Sequence, residues 1–211
     1  MTGRITERWD GETCFIVAGG PSVLSQPVSR LRGRRVIAIN SSVRSVPFAD
    51  LLFFGDARWW RDDHKNRKRT SLGMDAVAET GFSGAIYCGS AVRLGGPVTN
   101  LIKQIPPTFT PDRRHVMFFK SSVTGALSIA AAAGARKAVL LGVDGRIDDG
   151  RVRHHHGDRY PWPVNPEWVS LQSNEFHKVA PVFRDLGLEI HNASPNSGFD
   201  AWPKTSLEQF L

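Results

Sequence analysis

Phe15-Ile16-Val17-Ala18-Gly19-Gly20-Pro21-Ser22 is the stretch whose reading decides the fold. An apolar run of strand length ends in a tight glycine turn. Such a short, unbroken apolar run suits a strand buried on both faces, as in a parallel sheet covered by helices. In open parallel sheets, ligands bind at the carboxyl ends of the strands, near the point where the strand order reverses. Gly19 and Gly20 there would let backbone amides approach a phosphate. Ser22 would cap the next helix or donate to an oxygen. The spacing is neither the dinucleotide fingerprint nor the P-loop, so the turn also fits a plain strand-to-helix connection.

Outward from this run, strand and helix signals alternate. The first apolar run covers 14–18, and six more lie at 36–39, 51–54, 85–88, 116–119, 138–141 and 188–190. An alanine-rich helix is expected over 124–134, stopped by Gly134. A second is expected over 167–186, after Pro166 and before Gly187, with a kink or break at Pro181. Together these predict an α/β fold: one Rossmann-like domain over 1–211 with a doubly wound, mostly parallel sheet. Two polar stretches, 58–84 and 145–165, read as excursions from that core.

Composition narrows the class. At 41% hydrophobic residues over 211 positions, the chain is long enough to bury a core and too apolar to be disordered. No run is long enough to span a bilayer, and the polar start lacks an apolar signal region, so a cytoplasmic location is the expectation. Cys14 and Cys88 lie inside strand-like runs and read as buried free thiols without zinc-ligand spacing. The net charge of +7 favours phosphate-bearing partners. Much of it crowds the segment from Arg58 to Arg69, which includes Arg61, Lys65, Arg67 and Lys68. That segment is either a solvated face or a surface for phosphate, an acceptor or nucleic acid.

Several polar residues fall just past strand ends. Asn40, Asp56 and Asp144 would converge on one crevice if the sheet order allows it, offering ribose, base or metal contacts; each is also a natural cap. Ser121, Ser122, Thr124 and Gly125 open the alanine-rich helix and form a candidate anion site. His154-His155-His156, followed by Asp158, Tyr160 and Trp162, forms a mid-chain histidine loop that reads either as a solvated loop or as a site for general-base chemistry or phosphate contact. Three adjacent histidines cannot easily face one ion, so no metal site is expected. The loop from His191 to Ser197 either lines the same crevice or is a turn.

The run Phe15 to Ser22, then Val36 to Asn40, then Thr124-Gly125 with its helix, then Leu141 to Asp144, resembles the core of bacterial sialyltransferases that use a CMP-sugar. It is also similar to hydroxymethylpterin pyrophosphokinase-like proteins. The layout, with its closing Asn-Ala-Ser-Pro-Asn-Ser, resembles uncharacterised phage and prophage chains as well. The resemblance covers about three quarters of the chain, through short motifs. It implies that Gly20, Pro21 and Ser22 hold the nucleotide phosphates and sugar, that Asn40 touches the ribose or phosphate region, and that Thr124 and Gly125 touch the nucleotide. The sequence departs from the sialyltransferase turn, Gly-Asn-Gly-Pro-Ser, in having Gly19 at the Asn position. The catalytic histidine of that family has no single match, since 154–156 lie early and His177 late.

These readings predict a nucleotide-dependent transferase, most simply a glycosyltransferase with a CMP-linked donor and a hydroxyl-bearing or acidic acceptor. Gly19 to Ser22, Asn40, Asp56, Thr124, Gly125 and Asp144 would bind the nucleotide. His155 or His156 would take the acceptor proton, and Tyr160 or a nearby arginine would stabilise the leaving phosphate. One alternative is pyrophosphoryl transfer from Mg-ATP to a small hydroxymethyl substrate, with Asp56 or Asp144 on the metal. Another is a non-catalytic module binding nucleotide or nucleic acid. A homo-oligomer is compatible with each.

Overall fold

The computed structural model describes residues 2–61, 71–146, 154–157 and 167–211. In chain order the strands are β1 (Thr13–Val17), β2 (Arg35–Ile39), β3 (Leu51–Phe54), β4 (Ala85–Cys88), β5 (Val98–Asn100), β6 (Ile102–Gln104), β7 (His115–Met117), β8 (Lys137–Leu141) and β9 (Glu189–Asn192). The helices are α1 (Ala57–Trp60), α2 (Leu72–Thr80), α3 (Ser122–Ala132) and α4 (Trp168–Asp185). Seven strands form one parallel sheet in the order β5-β4-β3-β2-β1-β8-β9. The chain builds outward from β1 to β5 on one side, then crosses back to place β8 and β9 on the other. The order therefore reverses between β1 and β8, and the fold is the doubly wound α/β class.

Alternation along the strands divides the core. Ile16, Ile37, Ile39 and Phe53 pack with Leu127 and Ile129 of α3 and with Phe176 and Phe183 of α4. Phe15, Val17, Val36, Ala38 and Phe54 point the other way and pack with Trp59, Trp60 and Ala76. Both faces are thus covered, which is why these strands read as unbroken apolar runs. Helix α3 is buried from Val123 to Ala130, and its small residues set it close to the sheet. A Cβ on Gly125 would lie 2.3 Å from the Phe53 ring.

Four expectations need correction. The run at 116–119 does not join the main sheet: β7 pairs with β6 in a separate two-stranded sheet, and exposed Phe119 lies beyond it. The seventh place belongs to β5, whose three residues include a polar Thr99 and give little apolar signal. The stretch 58–84 is not simply an excursion, because it carries α1 and α2 and puts Trp59 and Trp60 into the core. Finally, α4 continues through Pro181, so the helix does not break there. After β1 and β2, where full helices would be usual, the chain makes short 3-10 turns at Pro21–Ser25 and Asn40–Arg44.

Candidate functional site

All seven strands run the same way, so their carboxyl ends form one edge. Along it, Asp56 follows β3, Asn40 follows β2, the glycine turn follows β1, and Asp144 follows β8. Neighbouring strands lie about 4.8 Å apart, so the ends of β3 and β8 are roughly 15 Å apart. Asp56 and Asp144 therefore stand apart along this edge and do not converge on one point. Among the described residues, no group of three His, Cys, Asp or Glu side chains is placed to hold a metal ion.

The glycine turn already holds an anion, and the anion is Asp144. Its Oδ2 accepts the backbone N–H of Ser22 at 2.9 Å, and its Oδ1 accepts the Ser22 hydroxyl at 2.5 Å. Asp144 is buried, and a Cβ on Gly20 would come within 2.5 Å of both its Oδ2 and the Gly142 carbonyl. Gly20 is glycine because β8's loop closes onto it; the Gly20 N–H donates to that same carbonyl at 2.8 Å.

The loop after β9 braces this arrangement. Ser194 Oγ accepts the Val143 N–H, Ser197 Oγ donates to the Val143 carbonyl, and the Gly198 N–H donates to the Asp144 carbonyl, all at 2.7 Å. Asn192, Ser194 and Ser197 are buried, so the closing polar motif is a structural clamp on the Asp144 loop. A cavity of about 230 Å³ opens between the two loops and the turn, lined by Pro21, Ser22, Ser25, Asp144, Arg146, Pro195 and Asn196.

The histidine loop docks on the opposite side of the same turn. The His155 N–H donates to the Gly19 carbonyl at 3.0 Å. His155 Nε2 lies 3.2 Å from the Ala18 carbonyl and 3.3 Å from Ser42 Oγ, and Nδ1 lies 2.9 Å from Ser45 Oγ. A carbonyl only accepts, so Nε2 carries the proton and Nδ1 accepts from Ser45. His155 thereby ties the loop to the ends of both β1 and β2. The rings of His154 and His156 stack with centroids 5.0 Å apart. A Cβ on Gly19 would lie 2.8 Å from His154 Nδ1, so a glycine is what lets the loop approach.

Burial holds His155 below the ordinary histidine range, and the neighbouring His154 adds to that effect. It pushes His156 further, to about 3, with His154, His155 and Arg44 contributing positive repulsion. Both rings are neutral at neutral pH.

The remaining sequence candidates divide clearly. Asn40 sits at the end of β2, half-buried, with a left-handed φ of 50° that asparagine tolerates. Asp56 is the cap of α1, accepting the Arg58 N–H at 2.9 Å and pairing with the Arg58 guanidinium at 2.5 Å. Thr124 is fully buried, and Gly125 is buried against Phe53, so the pair sits in the helix–sheet packing and does not open to the crevice. The amides before α3 are engaged too: buried Glu175 accepts the Phe119 N–H at 3.1 Å and also that of Lys120. Tyr160, and the basic residues at 62–69, lie outside the described residues. Of that basic segment, Arg58 is paired to Asp56 and Arg61 donates to the Arg93 carbonyl at 2.9 Å.

Sequence reading missed Ser25 and Arg146 as lining residues, and Ser42 and Ser45 as anchors of the histidine loop; Pro195 and Asn196 lie in the 191–197 loop that the sequence offers as a crevice wall. Ser42 and Ser45 carried one visible signal, a hydroxyl-rich run directly after a strand-end asparagine. Among the described residues, no helix is long and apolar enough to cross a membrane. The chain matches no protein-family model, no curated protein and no solved structure.

Proposed function

We propose that this chain is a nucleotide-dependent transferase, most simply a glycosyltransferase with a CMP-sugar-like donor bound along the carboxyl ends of β1 and β2. One observation carries this reading: the histidine loop is fastened by His155 onto the glycine turn at the carboxyl ends of β1 and β2, beside the β1–β8 position where the strand order reverses. Ligands of open parallel sheets sit outside the carboxyl ends of the strands near that reversal, and the reading needs a proton acceptor beside them.

The geometry supports the following roles. His155 has both ring nitrogens engaged and acts as a positioning residue. His156 starts neutral, as a base must, and takes the acceptor proton; its burial makes it a weak base until a bound donor phosphate raises its basicity. Asn40, at the end of β2, faces the ribose or phosphate region. Asp144 does not hold phosphate in this reading, because it occupies the Ser22 amide itself. The acceptor carries the hydroxyl that attacks the sugar carbon as the CMP phosphate leaves.

Pyrophosphoryl transfer from Mg-ATP would need Asp56 or Asp144 on the metal. Asp56 is bound to Arg58 and Asp144 to Ser22, so no observation favours that alternative.

The test is a thermal-shift screen of the chain with CMP, UDP, GDP, ADP, ATP and their sugar conjugates, each with and without Mg²⁺. A stabilising ligand raises the melting temperature by mass action. Stabilisation by a cytidine nucleotide without Mg²⁺ supports the proposal. Stabilisation only by Mg-ATP would replace it with pyrophosphoryl transfer, and none by any nucleotide would remove both.

A further inference from the structure

We infer that the cavity between the glycine turn and the loops after β8 and β9 is a binding site for one neutral, polyhydroxylated ring of monosaccharide size. It lies on the β8 side of the glycine turn, away from the β1–β2 position proposed for the nucleotide, and does not require that a nucleotide bind.

Size comes first. The cavity has a volume of about 230 Å³. Sites for drug-sized ligands run from about 300 to 1,000 Å³, so this smaller space suits a single ring.

Hydrogen-bond chemistry selects the ring. Each carboxylate oxygen of Asp144 accepts one bond from Ser22. A carboxylate oxygen has about two acceptor sites, so each retains capacity for a ligand donor. Ser25 Oγ spends its hydrogen on the Ser22 carbonyl at 2.9 Å, and so also presents acceptor capacity. The lining also includes Arg146, a pure donor, and Asn196, whose amide donates and accepts. A hydroxyl does both, so a ring bearing several hydroxyls matches a lining that offers both acceptors and donors. Pro21 and Pro195 supply apolar surface for the C–H groups of such a ring.

Charge argues against the alternative ligand. A phosphate or carboxylate could pair with Arg146 but would face the buried carboxylate of Asp144, with no donor to offer it. Among the described residues, one cation and one anion line the cavity, and their charges balance.

Saturation-transfer NMR on the full chain tests this. The probes are glucose, galactose, mannose and N-acetylglucosamine, set against glucuronate and inorganic phosphate. The variants are Asn196→Gly and Arg146→Gln. Asn196 has a φ of 57°, so glycine there keeps the turn and removes only the amide. At least one neutral sugar should bind, and each variant should weaken it about tenfold, the loss of one hydrogen bond of roughly 1.4 kcal/mol. The inference is overturned if no neutral sugar binds the wild-type chain, if both variants bind as well as wild type, or if phosphate or glucuronate binds in preference. CMP titrated into the same samples reads the transferase proposal separately. Sugar binding without any CMP effect upholds this inference while removing that one.

Discussion

The carboxylate of Asp144 holds both the backbone N–H and the hydroxyl of Ser22, 122 residues earlier in the chain. This pair joins the loops after β1 and β8 at the point where strand order reverses. It also fixes what the glycine turn can do, since an amide that might have met a phosphate is engaged within the fold. Replacing Ser22 by Ala removes one bond from a buried carboxylate and should cost about 1–3 kcal/mol, read as a lower denaturation midpoint at unchanged slope. Stability equal to wild type would mean that the pair contributes little.

Gly20 and Gly19 should respond differently to alanine. At Gly20 the new Cβ meets a backbone carbonyl and a buried carboxylate at 2.5 Å, and neither can move cheaply. At Gly19 it meets the imidazole of His154, which a loop can shift. Gly20→Ala should therefore lower the melting temperature of the whole domain. Gly19→Ala should leave it nearly unchanged and instead raise hydrogen exchange at the His155 amide.

Gly125→Ala tests the packing of α3. Its Cβ would lie 2.3 Å from the Phe53 ring, in a core with no slack. Overpacking of this kind costs about 1–3 kcal/mol, measurable by urea unfolding. A nucleotide contact at Gly125 would instead show as lost affinity with stability intact.

The histidine loop makes stability depend on pH. In the unfolded chain His155 and His156 take protons near about pH 6.5. In the fold, burial moves both lower, His156 to about 3. The unfolded chain therefore binds protons first as pH falls. The contribution is complete above about pH 6.5 and declines toward the folded values. The melting temperature should drop from neutral pH to about pH 5, with a shallower drop in His156→Gln. Equal slopes would show that these rings do not control the transition.

Much of the fold was legible because the strands are buried on both faces and read as apolar runs. The pattern weakened where burial was one-sided or the element short. β5 contains Thr99 and follows Gly95-Gly96-Pro97, so it carried little apolar signal, while the apolar run at 116–119 looked like a sheet strand and forms only a two-stranded edge. Trp59 and Trp60 were overshadowed by the arginines around them, although aromatic pairs of that size seldom stay in solvent. For the site, strand-end positions such as Asn40 and Asp144 could be read from spacing. Their partners could not: Ser22 meets Asp144, and Ser45 meets His155, across 122 and 110 residues, and only the sheet order brings them together. Asp56 and Thr124-Gly125 show the converse, since capping and close packing use the same residue types as ligand binding.

The most direct test of the central claim is to map amide chemical shifts while titrating CMP into the isotope-labelled chain. Binding in the proposed crevice predicts that the amides of Gly19, Gly20, Asn40 and His155 shift together and saturate with one dissociation constant. Shifts confined to other surfaces, or none at millimolar CMP, would contradict the account.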